Sequence, residues 1–237
     1  MKKFLFAFSL LLIGLSLHAA EPCAPVVEPV LRPAQGIAEV AQAVRRGGSA
    51  EGQNQQERDE TFKKNFSKLT GYGFEGYLER IPNKEQRGNL SDAELVAIRS
   101  YTEQAFRFLN KALREGGSEA SKYRNFVEVL NSALSKLPNY TGEVGRGTSL
   151  PADALAEHQV GATLIYKAFT STSTETGHDE IHRFIIRSKT GKRIAPFSVF
   201  SGEDEVLFRS GTRFRVVSRK EHTGKEGVVE FVLDEVE

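Results

Sequence analysis

The stretch LPNYTGEVGRG at residues 137–147 is the point at which the hydrophobic period of the sequence changes. Upstream of it, apolar side chains recur every three or four residues, which is typical of amphipathic helices. Two such series are Leu95, Ile98, Tyr101, Ala105, Phe108, Ala112 and then Tyr123, Phe126, Leu130, Ala133, Leu137. From Tyr140 onward apolar and polar residues alternate, as in half-buried strands. Helices followed by strands predict an α+β domain rather than alternating βαβ units.

Local signals indicate where these elements begin and end. Ser91 and Glu94 have the spacing of a capping box, so we expect the first long helix to start just after Ser91. The glycine pair at 116–117 is expected to end that helix. Thr-Gly pairs at 190–191 and 223–224 predict turns between the later strands.

The first twenty residues have the three-part layout of a secretory signal peptide. Two lysines precede an apolar stretch at 4–17, and the small residues Ala19 and Ala20 follow. The stretch is shorter than the ~20 residues that cross a bilayer, so cleavage near Ala20 is favoured over an uncleaved anchor. We therefore expect an exported protein, secreted or periplasmic, with no membrane segment after cleavage.

Residues 21–58 are predicted to form a partly disordered tether, and residues 59–237 the folded domain. The tether holds four of the eight prolines and a polar, glycine-containing run, with a short helix possible at 37–45. Its Cys23 is the only cysteine in the chain, so no internal disulfide can form. A net charge of +1 gives no general preference for nucleic acid or anionic membranes, and we expect a monomer.

Three segments of the strand-rich half combine residues suited to chemistry. They are 140–147, which contains Arg146; 169–173, which contains Ser171; and 202–207, which contains Glu203 and Glu205. Taken singly, each has an ordinary explanation: a solvated arginine, a hydroxyl-rich turn, and an acidic strand face. Glu203 and Glu205 are predicted to lie on the same face of a strand, because side-chain direction repeats every two residues.

In this order, the three segments resemble the arginine–serine–Glu-x-Glu class of mono-ADP-ribosyltransferases, which includes secreted bacterial toxins and vertebrate ecto-enzymes. The similarity extends over roughly 62–217, including the helical lead-in at 90–137. It implies helices packed beside two antiparallel sheets that form an NAD cleft. It also implies transfer of ADP-ribose from NAD to an arginine of a target protein, with release of nicotinamide.

The same resemblance implies roles for individual residues. Arg146 would bind the ribose-phosphate side of NAD, and the Gly147 backbone would bind the nicotinamide amide. Ser171 would orient either the nicotinamide ribose or Glu205. Glu205 would bind the 2′-hydroxyl of that ribose and stabilise the positive charge that builds up as the glycosidic bond breaks.

The acceptor is expected to meet Glu203 and Phe200. A guanidinium is protonated in water and is a poor nucleophile, so Glu203 would position it and accept its proton. Phe200 occupies the acceptor-recognition loop of the family, although a buried strand residue is an equally good interpretation. An NAD glycohydrolase using Arg146, Ser171 and Glu205, or a non-enzymatic exported binding module, are the alternatives.

Two other patterns carry less weight. His178, Glu180 and His182 have a helical metal-binding spacing, but they run straight into a predicted strand, so no metal is expected. Residues 183–220 contain an excess of basic side chains. These could steer an anionic ligand or could simply keep exposed strands soluble.

Overall fold

The computed structural model describes residues 55–175, 181–200, 202–222 and 227–236. The predicted signal peptide, the tether up to residue 54 and the possible helix at 37–45 lie outside these ranges. Helix α1 begins at Gln55, so the last four residues assigned to the tether are helical. No helix within the described ranges is both long and apolar enough to span a membrane.

Helices make up the first half of the described chain. The α-helices are α1 (Gln55–Thr70), α2 (Phe74–Glu79), α3 (Asp92–Ser100), α4 (Phe106–Glu115), α5 (Gly117–Lys122), α6 (Arg124–Lys136) and α7 (Ala152–Glu157). A π-helical turn, Tyr101–Ala105, joins α3 to α4, and short 3₁₀ turns cover Lys84–Gln86 and Ala195–Phe197.

The predicted caps are present. Ser91 Oγ accepts a hydrogen bond from Glu94 N at 3.2 Å, and Glu94 Oε2 accepts one from Ser91 N at 2.9 Å, which completes the capping box. The α4 helix ends before Gly116, whose φ of 75° is readily adopted by glycine. The α5 helix, which follows at once, was not predicted because its sequence, GSEASK, has no apolar stripe.

The second half of the described chain forms seven strands. They are β1 (Asn139–Thr148), β2 (Thr163–Tyr166), β3 (Thr170–Ser173), β4 (His182–Arg193), β5 (Glu205–Phe208), β6 (Thr212–Glu221) and β7 (Val229–Val236). Their order is β1-β3-β5-β4-β7-β6-β2, and β1 also pairs with β4. All pairs are antiparallel except β4 with β7, which is parallel.

The α+β prediction is confirmed, but the strands are not two separate antiparallel sheets. Strands β1, β3, β5 and β4 pair in a closed ring, because β1 contacts both β3 and β4. Two of the pairings in this ring are short: Gly145 opposite Ser173, and residues 192–193 opposite 206–207. These short pairings join the β3–β5 pair to the larger sheet.

The turn predicted at 190–191 was wrong, because these residues lie inside β4. The pairing of β4 with β1 shifts register between Tyr140 and Gly142, which is a bulge. The buried Glu235 carboxylate accepts hydrogen bonds from Lys189 N at 2.5 Å and Thr190 N at 2.8 Å. Since a distant side chain satisfies these backbone donors, the strand continues past the bulge.

Two hydrophobic cores lie on either side of β5. Leu207 belongs to the core formed mainly by the helices, together with Phe169, Ile194 and Phe197. Val206 and Phe208, on either side of Leu207 in the sequence, belong to the core formed by the larger sheet. Alternation along this short strand thus places β5, and Glu205 at its start, between the two cores.

Candidate active site

A hydrogen-bonded chain connects the first three predicted site residues. Arg146 Nη1, on β1, donates to the backbone oxygen of Ser171 at 2.7 Å. Ser171 Oγ, on β3, donates to Glu205 Oε1, on β5, at 2.6 Å. Residues far apart in sequence are therefore brought together by the pairing of β1 with β3 and of β3 with β5.

Glu205 is buried, with 8% of its surface exposed. Burial raises the pKa of its carboxyl group to about 7, and the nearby charge of Glu203 acts in the same direction. The hydrogen bond from Ser171 and the charge of Arg146 both lower this pKa, although they do not offset the cost of burial. A buried carboxyl group whose pKa is raised to near neutral pH is typical of an active site.

Arg146 is half-buried. Burial lowers the pKa of this guanidinium, and the charge of Arg114, in the last turn of α4, lowers it further. Arginine nevertheless stays protonated in proteins, so both side chains remain cations close enough to repel each other. Such a pair is suited to an anion such as a phosphate.

The π-helical turn and helix α4 contribute residues near Glu205 and Arg146 that the sequence pattern had assigned to the core alone. Tyr101 is buried, its ring centroid lies 5.4 Å from that of Phe169, and its hydroxyl oxygen accepts a hydrogen bond from Asn110 Nδ2 at 3.1 Å. Burial raises the pKa of the Tyr101 hydroxyl, and the charge of Glu205 raises it further. Asn110 Oδ1 is buried with no hydrogen-bond partner among the described residues, which is unusual for a native protein.

The strand geometry predicted for the two glutamates was wrong for Glu203. Strand β5 begins at Glu205, and Glu203 lies in the preceding bend, where Glu205 N donates to Glu203 O at 2.7 Å. This bend breaks the alternation of an extended chain, so Glu203 is exposed whereas Glu205 is buried. Burial still raises the pKa of the Glu203 carboxyl group to some extent.

Phe200 lies in the same loop and is 45% exposed, so it is not a buried strand residue. The loop is held at its far end by Asp204, whose backbone oxygen accepts a hydrogen bond from Thr174 N at 3.1 Å. Gly147 lies on β1 opposite Arg183, next to Arg146. Its interaction with a nicotinamide stays a prediction.

The two remaining patterns have structural explanations. His182 begins β4 and accepts a hydrogen bond from Leu150 N at 2.8 Å, while His178 and Glu180 lie outside the described residues. In the described ranges, no three His, Cys, Asp or Glu side chains form a group that could hold a metal ion.

The basic side chains of β4 and β6 face acidic ones on β7, the strand between them. Arg187 Nη1 lies 3.2 Å from Asp234 Oδ1, and Arg215 Nη2 lies 3.4 Å from Asp234 Oδ2. Arg183 is in register with Glu230. This alternation favours soluble strand faces over a steering patch.

Comparison with known proteins identifies relatives of this chain. A family model described as NAD:arginine ADP-ribosyltransferase matches residues 38–235. The chain is similar to proteins named NAD(+)–protein-arginine ADP-ribosyltransferase Tre1 in two bacteria. It is 38% identical over 136 residues to that of Serratia proteamaculans, covering 57% of this chain and 31% of the relative. It is 37% identical over 153 residues to that of Pseudomonas putida, covering 62% and 30%. The chain thus spans less than a third of either relative.

Among solved structures, the fold is similar to that of the type III effector XopAI from Xanthomonas axonopodis pv. citri. The TM-score is 0.70 at 23% identity, with 90% of this chain and 97% of that chain covered. At this level of identity the likeness is one of fold.

Proposed function

The chain belongs to the NAD:arginine ADP-ribosyltransferase family, and we propose that it transfers ADP-ribose from NAD to an arginine side chain of a target protein. The observation that carries this proposal is the hydrogen-bonded chain from Arg146 through Ser171 to the buried Glu205. The names of the two Tre1 relatives support protein arginine as the acceptor.

NAD binding is assigned to the residues around Glu205 and Arg146, which lie on the π-helical turn, α4 and strands β1, β3 and β5. Arg146 and Arg114 suit the negative charge of the pyrophosphate, and an anion there would relieve the repulsion between these two cations. The unpaired Asn110 Oδ1 offers a buried acceptor for a hydroxyl or amide donor of the ligand. Gly147 remains the residue proposed to bind the nicotinamide amide.

Bond cleavage is assigned to Glu205. As the bond from C1′ to the nicotinamide nitrogen breaks, the electron pair leaves with neutral nicotinamide and positive charge builds on the ribose. A carboxylate held at this point in a buried site stabilises the transition state more than the substrate, and this difference accelerates the reaction. Because the pKa of Glu205 is about 7, a large fraction is already ionised at neutral pH. The Ser171 hydroxyl fixes the orientation of the carboxylate.

Acceptor activation is assigned to the loop that carries Phe200 and Glu203. The acceptor guanidinium must lose a proton as its nitrogen forms the new bond to C1′, and the Glu203 carboxylate is the group proposed to accept it. The exposed Phe200 ring offers a face against which a guanidinium can stack.

We also propose that the protein is exported and acts as a toxin or effector on a protein outside its own compartment. The signal-peptide layout of residues 1–20 supports export. Sequencing the N-terminus of the protein recovered from medium and periplasm tests this, with a start near residue 21 expected. Recovery of an intact N-terminus in the membrane fraction contradicts it.

The activity is tested with purified protein, NAD and agmatine, an arginine analogue, by quantifying nicotinamide, free ADP-ribose and the ADP-ribosyl adduct. We expect adduct formation to match nicotinamide release, and Glu205→Gln to slow both at least ~100-fold. Accumulation of free ADP-ribose without adduct would instead identify a glycohydrolase. A lack of NAD turnover would identify a binding module.

A further inference from the structure

The helical segment that runs from α3 into α4 changes its geometry at the π-helical turn Tyr101–Ala105. There Phe106 N donates to Tyr101 O, five residues earlier, instead of to the oxygen four residues earlier. Turns of this kind are rare and often occur at functional sites. Here the turn contains two consecutive buried residues, Tyr101 and Thr102, which face different parts of the site.

Tyr101 packs against Phe169, and its hydroxyl group lies near enough to Glu205 for that charge to raise its pKa. Thr102 faces the acceptor loop, defined here as residues 198–200 and 202–204. Its side-chain oxygen accepts a hydrogen bond from Val199 N at 3.1 Å and donates its proton to Arg99 O at 2.8 Å. Because a hydroxyl has only one proton to donate, the bond to Arg99 O leaves a lone pair directed at Val199.

The bond to Val199 attaches the first half of the acceptor loop to the helical layer. Ser198 O, beside it, accepts a longer bond from Arg99 Nη1 at 3.4 Å. The far end of the loop is attached separately, through Asp204 and Thr174 at the end of β3. Phe200 and Glu203 lie between these two attachments, so their position relative to Glu205 depends on both.

We propose that Thr102 is a positioning residue for the acceptor arginine, because its hydrogen bond to Val199 N holds the loop that presents Phe200 and Glu203. This inference rests on the proposed transferase function. It assigns to one buried hydroxyl the balance between transfer to arginine and transfer to water at the same site.

Loss of this hydroxyl should affect acceptor use and leave NAD cleavage intact. Without its acceptor, Val199 N is left unpaired and the first half of the loop is released. Arg146, Ser171 and Glu205 do not depend on that bond. We expect Thr102→Val to lower kcat/KM for agmatine about 10-fold, which corresponds to about 1.4 kcal/mol. Hydrolysis of NAD without acceptor, and KM for NAD, should change less than about twofold, because only the positioning of the acceptor is lost.

Two further variants separate positioning from general damage to the fold. Thr102→Ser keeps the hydroxyl and should restore most of the transfer activity. Thr61→Val is the matched control, because Thr61 on α1 likewise donates to a helix backbone oxygen, at 2.8 Å, but lies on the exposed surface. This control should leave the ratio of adduct to free ADP-ribose at the wild-type value.

Val199→Pro removes the same hydrogen bond from the donor side, so the result does not depend on one variant folding. Ser198 has a ψ of 156°, which a following proline tolerates. If the two changes remove one shared interaction, the double variant Thr102→Val/Val199→Pro should be no more impaired in transfer than either single variant.

Several outcomes overturn the inference. One is an unchanged ratio of transfer to hydrolysis in Thr102→Val while the wild-type chain transfers, and this leaves the proposed function standing. An equal loss of both activities, or additive losses in the double variant, also overturns it. A wild-type chain that cleaves NAD without forming adduct overturns both this inference and the proposed function.

Discussion

Replacing Glu205 with glutamine is expected to stabilise the folded protein at alkaline pH while abolishing its activity. The native state raises the pKa of this carboxyl group from 4.5 to about 7 by burial. Such a shift corresponds to about 3 kcal/mol, since one pKa unit is worth about 1.4 kcal/mol. The unfolded chain ionises the group freely, so this free energy is lost from the native state as pH rises from about 4.5 through about 7. Glutamine keeps an oxygen that can accept from Ser171 and carries no charge.

Thermal unfolding at pH 5 and pH 8.5, followed by circular dichroism, measures this effect. At pH 8.5 the variant should melt roughly 6–12 °C above the wild-type protein, the size expected for about 3 kcal/mol in a domain of this length. At pH 5 the folded wild-type side chain is neutral and only about 1 kcal/mol has been lost through ionisation of the unfolded chain, so the difference should shrink to about 2–3 °C. Glu119→Gln, at an exposed position on α5, is the matched control and should show no pH-dependent difference. The reasoning is refuted if Glu205→Gln melts at or below the wild-type temperature at pH 8.5.

Three further predictions concern Glu205, Glu203 and Glu94. The kcat/KM for NAD should rise through pH ~7 as Glu205 ionises. Ser171→Ala should move this rise to higher pH, because the Ser171 hydrogen bond lowers the pKa of Glu205. A pH profile measured by nicotinamide release checks this, and a shift to lower pH contradicts it. Glu203→Gln should reduce transfer to agmatine by about 100-fold and leave NAD hydrolysis intact. Chromatography of the products measures both, and an equal loss of transfer and hydrolysis would mean that Glu203 has no role in acceptor use. Glu94→Ala should lower the free energy of unfolding, measured in urea, by about 3 kcal/mol, because it removes a fully buried carboxylate that lies 2.7 Å from Lys136 Nζ. A decrease below about 1 kcal/mol would mean that this ion pair is not important for stability.

The parts of the fold that depend on local sequence were predicted. The apolar stripe from Leu95 to Ala112 runs along α3, the π-helical turn and α4, and the Ser91 capping box begins it. Alternation likewise located most of the strands, because side-chain direction in a strand follows from sequence position alone. The α+β class follows from these two periods.

The parts that depend on distant partners were not predicted. The turn expected at 190–191 is a bulge because Glu235, 45 residues downstream, binds its backbone donors. Glu203 was assigned to a strand because spacing alone cannot reveal the bend in which Glu205 N bonds Glu203 O. The π-helical turn that contains Tyr101 and Thr102 has no sequence pattern of its own.

The candidate site was found through its resemblance to a family rather than from spacing. Arg146, Ser171 and Glu205 are each unremarkable alone, and only the pairing of β1, β3 and β5 brings them together. Asn110 and Arg114 were missed because they lie on α4, and packing in the core already explains the apolar stripe of this helix. The sequence signal that could have indicated Asn110 is a polar amide directly beside the apolar stripe of a core-facing helix.

The central claim is that this site places ADP-ribose on arginine side chains of proteins. Its most direct measurement is mass spectrometry of a cell lysate incubated with the purified chain and isotope-labelled NAD. The account predicts labelled ADP-ribose on arginine residues with the wild-type chain and none above background with Glu205→Gln. Labelled free ADP-ribose without modified arginine, or equal modification by both chains, would contradict it.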